Sequence, residues 1–276
     1  MNATLKVVSI FCRREIDSIS EMAPIYIYME NPMSFFKNLL GGKKLSQARI
    51  DAVLLDDIAQ VQELLASGAN PNATDENGVP ALIIAVSRRQ KHIVSALLAK
   101  GAAPDVTYTD AEGQYNAAPV VVFCAANGDA EILTLLLKYG VDVNSTDATG
   151  MTPLMCAAFM GHVNATRAIL NAKCDMEAQD VYGYTALMFA CNGGRLDCAR
   201  MLIESGANVN TMDKELATPL MFAAQHGFDD IVRLLLDNGA DPNAVCIHGL
   251  TALGFAQQNN HKRTIQILLP VTKSAA

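Results

Sequence analysis

A seven-residue motif recurs along this chain at a constant interval. Residues 218–224 read TPLMFAA, and they match TALMFAC at residues 185–191 and TPLMCAA at residues 152–158. Each copy begins 33 residues after the copy before it. A second motif recurs at the same interval, as GADPNA at residues 239–244 and GANVN at residues 206–210. Self-similarity at a fixed period of this length predicts an array of stacked repeats.

Each period carries the signals of two helices. A threonine stands where a helix N-cap is needed in four units, at Thr152, Thr185, Thr218 and Thr251. Pro219 follows Thr218 at the first helical position, where a missing N–H is tolerated. A second apolar run at residues 231–236 stops shortly before Gly239, a residue suited to the left-handed conformation that closes a helix. We therefore predict an all-α solenoid of helix-turn-helix units with hairpin loops, in which neighbouring units share one core.

The predicted solenoid occupies residues 45–270 and contains seven units. The two end units are degenerate, as expected for units that face water on one side. The interval widens to 39 residues between Gly101 and Gly140, which indicates a loop insertion at residues 107–118. The five well-marked units are residues 75–106, 107–146, 147–179, 180–212 and 213–245.

The period of 33, the Thr-Pro-Leu box and the Gly-Ala-Asp-x-Asn-Ala motif resemble the ankyrin repeat. The resemblance implies a non-catalytic solenoid that binds partner proteins on a concave face made of hairpin tips and inner helices. Lys173 replaces the glycine that usually closes the second helix, so we expect the fourth unit to be the least stable joint. The histidine that usually follows Thr-Pro-Leu is absent, and we expect a softer apolar stripe at Ile83, Val122, Met155, Met188, Met221 and Gly254.

Carried onto this chain, the resemblance implies an apolar and aromatic binding patch in units four and five. Aromatic side chains at the centre of an interface commonly dominate its binding energy. The predicted centre is Met151, Phe159, Met160, Val181, Tyr182 and Tyr184, with Arg88, Gln225 and His226 as polar neighbours. Tyr184 and Met151 are the members that could pack on a neighbouring unit instead. Tyr108 and Tyr115 in the insertion form a second candidate surface, and a neutral insertion is the alternative.

No arrangement of residues predicts catalysis or metal binding. The five histidines fall in different units, so no nucleophile, base and orienting group are brought together by the pattern. Cys191 and Cys198 are separated by six residues across a turn, a spacing unlike that of zinc sites. We expect no cofactor, and an enzyme with a hidden Cys/His site is the remote alternative.

Composition limits the partners and the compartment. The net charge of −7 disfavours nucleic acid, which is bound through Lys and Arg, and favours a partner protein with a basic face. Seven irregularly spaced cysteines favour a reducing compartment over a disulfide framework. No segment approaches the roughly 18 apolar residues of a membrane span, and the N-terminal apolar run is too short for a signal peptide. We expect a monomeric, cytoplasmic binding module, with a regulatory or pathogen effector protein docking on an enzyme as the alternative.

The two ends of the chain lack the repeat pattern. We expect residues 1–44 to form an N-terminal extension with a capping helix near residues 34–40. Met33 offers a second translation start, in which case residues 1–32 would be optional. Residues 271–276 are expected to form a short tail.

Overall fold

The computed structural model describes residues 47–75, 77–108 and 118–272. In these ranges the chain forms fourteen α-helices in seven consecutive pairs, which we number as units one to seven, and one two-stranded sheet. The helices are α1 (Gln47–Leu54), α2 (Ile58–Ala66), α3 (Ala81–Ser87), α4 (Lys91–Ala99), α5 (Val120–Asn127), α6 (Ala130–Lys138), α7 (Pro153–Met160), α8 (Val163–Asn171), α9 (Ala186–Asn192), α10 (Leu196–Glu204), α11 (Pro219–His226), α12 (Asp229–Asp237), α13 (Ala252–Gln258) and α14 (Lys262–Leu268). The strands are β1 (Thr107–Tyr108) and β2 (Ala118–Pro119). The predicted all-α solenoid is confirmed.

The helices lie in two rows. The first helices of the units pack against one another from α1 to α13, and the second helices do so from α2 to α14. Fully buried small side chains, among them Ala157, Ala190 and Ala223, allow the inner row to pack closely. Buried side chains from all seven units join in one continuous core, because no single helix pair could cover its own apolar face.

Threonine caps begin three of the inner helices as the sequence predicts. The Oγ1 atoms of Thr152, Thr185 and Thr251 each accept a hydrogen bond from the backbone N–H three residues later, at 3.2, 3.4 and 3.3 Å. Thr218 also stands at the N-cap, but its buried Oγ1 has no hydrogen-bond partner in the described part of the chain. The cap of α11 is therefore incomplete.

Methionine sulfur atoms replace part of the polar bonding that the sequence analysis expected to be lost. The N–H of Thr152 donates to the Sδ of Met155 at 3.3 Å, and the N–H of Thr185 donates to the Sδ of Met188 at 3.4 Å. Thioether sulfur is a weak acceptor, but it satisfies a buried backbone donor. The expectation of a purely apolar stripe is wrong at these two units.

Hydrogen bonds across the inter-helix turns join each unit to the next. The imidazole Nε2 of His162 lies 2.9 Å from the carbonyl oxygen of Ala126, and its ring covers Gly128, where even a Cβ would come within 2.5 Å. The same position one unit later is Arg195, whose Nε donates to the carbonyl of Phe159 at 2.9 Å. His162 therefore has a structural role between units three and four, and burial lowers the pKa of this histidine.

The insertion forms a hairpin at its base. Thr107 pairs with Pro119 and Tyr108 with Ala118 in an antiparallel register. The predicted extension at residues 1–44, with its helix near residues 34–40, lies outside the described residues.

The fourth unit carries two departures at its end. Lys173 has a φ of 58°, the left-handed conformation expected at a repeat position that is Gly140 and Gly206 in the neighbouring units. Glu177 stands where Asn144 and Asn210 occupy the neighbouring units, and its carboxylate accepts from the N–H of Asn208 at 2.9 Å and from Thr211 Oγ1 at 3.0 Å. The joint between units four and five thus contains a strained residue, Lys173. It also contains Glu177, which replaces an asparagine and hydrogen-bonds to unit five.

Replacing Lys173 by glycine should stabilise the fold. Left-handed geometry disfavours a side chain by about 1 kcal/mol, so Lys173→Gly should raise the free energy of unfolding by about that amount. Gly140 occupies the same repeat position with a φ of 85° and open space at the Cβ position, so Gly140→Lys should have the opposite effect. Urea unfolding followed by circular dichroism measures both changes, and an unchanged midpoint for Lys173→Gly would contradict the strain argument.

Candidate partner-binding face

A buried aspartate organises the hairpins that precede α7, α9 and α11. The Oδ1 of Asp147, Asp180 or Asp213 accepts the backbone N–H groups two and four residues later, at distances of 2.7 to 3.0 Å. Each carboxylate is 6–7% exposed. The side chain therefore holds its hairpin closed from the inside.

Backbone hydrogen bonds then connect consecutive hairpins. The N–H of Val181 donates to the carbonyl of Thr149 at 2.9 Å, and the N–H of Lys214 donates to the carbonyl of Tyr182 at 3.1 Å. The N–H of Ile247 continues the series to the carbonyl of Glu215 at 3.0 Å. Side chains on these hairpins are thus displayed on a hydrogen-bonded framework.

An aromatic cluster crosses units four to six beside these hairpins. Tyr184 lies edge-on to Phe222 and Phe189, with ring centroids 5.3 and 5.8 Å apart, and Tyr182 lies 5.9 Å from Tyr184. Phe159 meets Phe189 edge-on at 6.0 Å. The structure therefore brings Phe159, Tyr182 and Tyr184 into one cluster, as the predicted patch requires.

Not every member of the predicted patch is open to a partner. Phe159 is 7% exposed, so the expectation that it lies open at the centre is wrong, because unit five covers it. Met151 and Tyr184 are half-buried and pack against the core, which confirms the alternative stated for them. Met160 and Tyr182 are half-buried, and Val181 is 46% exposed.

The predicted polar neighbours are largely occupied within the fold. Arg88 is half-buried, and its Nη1 donates to the carbonyl of Leu54 at 2.7 Å. The Nε2 of His226 lies 2.8 Å from the Oδ1 of Asn192, and burial lowers the pKa of this histidine. His226 is therefore half-buried and hydrogen-bonded within the fold. Gln225 is half-buried, and it lines a cleft between units six and seven.

The second candidate surface is described only at its base. Tyr108 belongs to β1, but its side chain lies outside the described residues. Tyr115 lies outside them altogether. A role for the insertion in binding stays a prediction.

Exposed apolar side chains form a row on the hairpins of units five to seven, and of these the predicted patch included Val181 but not Leu216. We call Val181, Leu216 and Ile247 the apolar tip row; they are 46%, 45% and 57% exposed. Leu216 has a φ of 60° and occupies the repeat position that is Gly183 and Gly249 in the adjacent units; we call the residues at one repeat position a column. A leucine in a glycine column was visible in the sequence, but its exposure was not.

A shallow cleft lies between the hairpins of units six and seven and the inner helices α11 and α13. Aromatic and apolar side chains form part of its wall, and carboxylates and a histidine form the rest. The lining residues are Tyr184, Asp213, Glu215, Ala217, Met221, Phe222, Gln225, Cys246, His248 and Phe255.

Burial sets the ionisation of the groups around this cleft. Desolvation raises the pKa of Asp213 to about 6, with its backbone hydrogen bonds opposing the shift. The pKa of Asp180 is raised for the same reason, and burial also raises the pKa of the Tyr184 hydroxyl. The aspartates thus hold their hairpins with carboxylates that are more easily protonated than usual.

The described residues contain no cluster of three or more His, Cys, Asp or Glu side chains suited to a metal ion. Cys124 and Cys191 are buried, and burial raises the pKa of both thiols, which disfavours the reactive thiolate. In the described part of the chain, no helix combines the length and apolar character needed to cross a membrane.

Three family models match the chain along the solenoid. Models described as "Ankyrin repeats (many copies)" match residues 48–98 and 202–256, and one described as "Ankyrin repeats (3 copies)" matches residues 121–213. These ranges include helices of every unit from α1 to α13.

Curated relatives match parts of the chain. "Ankyrin repeat, SAM and basic leucine zipper domain-containing protein 1" of Chlorocebus aethiops is 34% identical over 140 residues, which cover 49% of this chain and 28% of the relative. "Transient receptor potential cation channel subfamily A member 1" of Homo sapiens is 33% identical over 119 residues, covering 43% of this chain and 10% of the relative. "Glycerophosphocholine phosphodiesterase gde1" of Schizosaccharomyces pombe is 31% identical over 104 residues, covering 38% and 9%. The matched regions therefore span less than a third of these relatives.

The raised pKa of Asp213 should make the free energy of unfolding fall as the pH rises. Its pKa is about 6 in the folded chain against an ordinary value of 3.8, so the stabilisation from protonation is present below 3.8 and is lost as the pH rises through 6. Asp213→Asn keeps a side-chain oxygen for the two N–H groups and cannot ionise. Between acidic and neutral pH, the variant should therefore gain on the order of 2 kcal/mol of unfolding free energy relative to wild type.

Urea unfolding at a series of pH values tests this effect, with Asp237→Asn as the control for an exposed carboxylate on α12. A stability difference between Asp213→Asn and wild type that does not change with pH would show that Asp213 is not the titrating group.

Proposed function

Since the chain belongs to the ankyrin-repeat family, we propose that it is a non-catalytic module that binds a partner protein on its hairpin-and-inner-helix face. Ankyrin repeats are a general protein–protein interaction module. One observation carries the assignment to this face. The apolar tip row holds three large aliphatic side chains on consecutive, hydrogen-bonded hairpins, and about half of the surface of each remains exposed to water.

The strain at Leu216 supports the same proposal. In the described residues, the equivalent position of the other hairpins is Gly78, Gly150, Gly183 or Gly249, and glycine adopts this conformation without steric strain. A leucine here is strained and also exposes apolar surface to water. Backbone strain is often retained at binding and active sites.

The absence of catalysis is part of the proposal, and it is supported by the inert cysteines. Six cysteines in the described residues form no disulfide, and five of them are buried. Buried thiols suit a structural role, and cysteines outside disulfides suit a reducing compartment such as the cytoplasm. We propose that the chain acts there as a monomer, since the repeats bury their apolar faces on one another.

Removing the apolar tip row should abolish partner binding while the fold is retained. The triple variant Val181→Ser/Leu216→Ser/Ile247→Ser should lower affinity by about 100-fold, at about 1 kcal/mol for each buried aliphatic contact. Affinity capture from native lysate with the tagged full chain, quantified by mass spectrometry, measures the recovered partner.

A matched control removes a similar apolar surface elsewhere. Leu55, Leu269 and Val271 are exposed near the two ends of the solenoid, so Leu55→Ser/Leu269→Ser/Val271→Ser should bind like wild type. Circular dichroism must show both triple variants folded. Equal recovery of every partner by the two variants would refute this face as the binding site.

Leu216→Gly should separate stability from binding. Relief of the left-handed strain should raise the free energy of unfolding by about 1 kcal/mol, whereas loss of the apolar side chain should weaken capture of the partner. Gly249→Leu, in the same column with open space at its Cβ, should lower stability by a similar amount. Urea unfolding and quantitative capture measure the two effects. A Leu216→Gly variant that is less stable, or that binds as tightly as wild type, would remove this support.

A further inference from the structure

The cleft between units six and seven combines aromatic rings with acidic groups. Tyr184 is half-buried and forms part of the wall, and the rings of Phe222 and Phe255 lie deeper. Glu215 and His248 stand at the hairpin side of the cleft, with side chains that are 22% and 39% exposed. Aromatic surface and carboxylate are thus presented together to an incoming side chain.

The charge of this cleft has one sign. Its lining residues include the carboxylates of Asp213 and Glu215, and no lysine or arginine lines it. The whole chain has a net charge of −7, so the surroundings reinforce this potential. A cationic group on the partner protein would complement this negative potential.

The two carboxylates have different tasks. Asp213 uses its Oδ1 to accept the N–H groups of Glu215 and Ala217 at 2.8 and 2.7 Å, which closes the hairpin. The Oε2 of Glu215 lies 3.6 Å from the Nε2 of His248, and this contact is an ion pair only when the histidine is protonated. Glu215 is therefore the carboxylate that can pair with a cationic group of a partner protein.

We propose that this cleft holds an arginine side chain of the partner protein, with its guanidinium paired to Glu215 and stacked beside Tyr184. A guanidinium is planar, so it can stack on an aromatic ring and donate two parallel hydrogen bonds to one carboxylate, whereas a lysine ammonium has no such planar pair of donors. The proposal rests on the proposed function and adds the chemistry of the anchor. The neighbouring tip residues Leu216 and Ile247 would contact apolar side chains that flank the arginine.

The test uses small probes and the full chain, so that it does not depend on knowing the partner. N-acetyl-arginine N-methylamide is titrated into the isotope-labelled protein, and the citrulline analogue serves as the neutral isostere. The arginine probe should shift amide resonances of units six and seven and bind about tenfold more tightly than the citrulline probe, as a charge-assisted pair requires.

Two variants assign the effect to Glu215. Glu215→Gln should weaken the arginine probe about tenfold, whereas Glu204→Gln, an exposed glutamate at the end of α10, should leave it unchanged. Amide spectra must show both variants folded. Equal binding of the citrulline or lysine analogue, unchanged binding by Glu215→Gln, or shifts confined to other units would overturn the proposal.

The outcome is separable from that of the proposed function. If the arginine probe fails at this cleft while the tip-row triple variant still loses its partner, only the arginine anchor is wrong. If the probe binds here while the triple variant keeps its partner, the apolar tip row is not the binding surface and the cleft stands alone.

Discussion

The fold depends on the burial of each helix pair against the next. A single pair leaves one apolar side uncovered, and only a neighbouring pair with a matching inner helix can cover it. Buried alanines such as Ala157 and Ala190 bring the inner helices close, and the bond from Arg195 to the carbonyl of Phe159 fixes how the units stack. The whole solenoid is a repetition of this contact.

The binding face follows from the same stacking. Because each unit lies on the previous one in the same orientation, consecutive hairpins come side by side and exchange backbone hydrogen bonds. A buried aspartate such as Asp180 closes the hairpin from within, which leaves the outward side chains free to vary. Val181, Leu216 and Ile247 can therefore differ from one another without disturbing the hydrogen-bonded framework.

Two positions show how the array tolerates departures from its own pattern. Lys173 and Leu216 both adopt left-handed geometry in columns where other units have glycine. At Lys173, the strain stands beside the extra hydrogen bonds of Glu177. At Leu216 the strained residue also exposes apolar surface, which is why we propose a role in binding for it. A core shared by seven units absorbs both.

The period, the helix pairs, the caps at Thr152 and Thr185 and the place of the insertion could be predicted from the sequence, because they are local features read against a fixed repeat. The sequence also indicated the aromatic cluster, since Phe159 falls on the inner helix of unit four and Tyr182 and Tyr184 fall on the hairpin of the next unit. Tertiary structure alone decided which of these side chains face water. Phe159 is covered by the next unit, Met155 turns its sulfur to a backbone N–H, and Leu216 stays open. Exposure depends on what the neighbouring unit places over a residue, and a pattern within one unit does not contain that information.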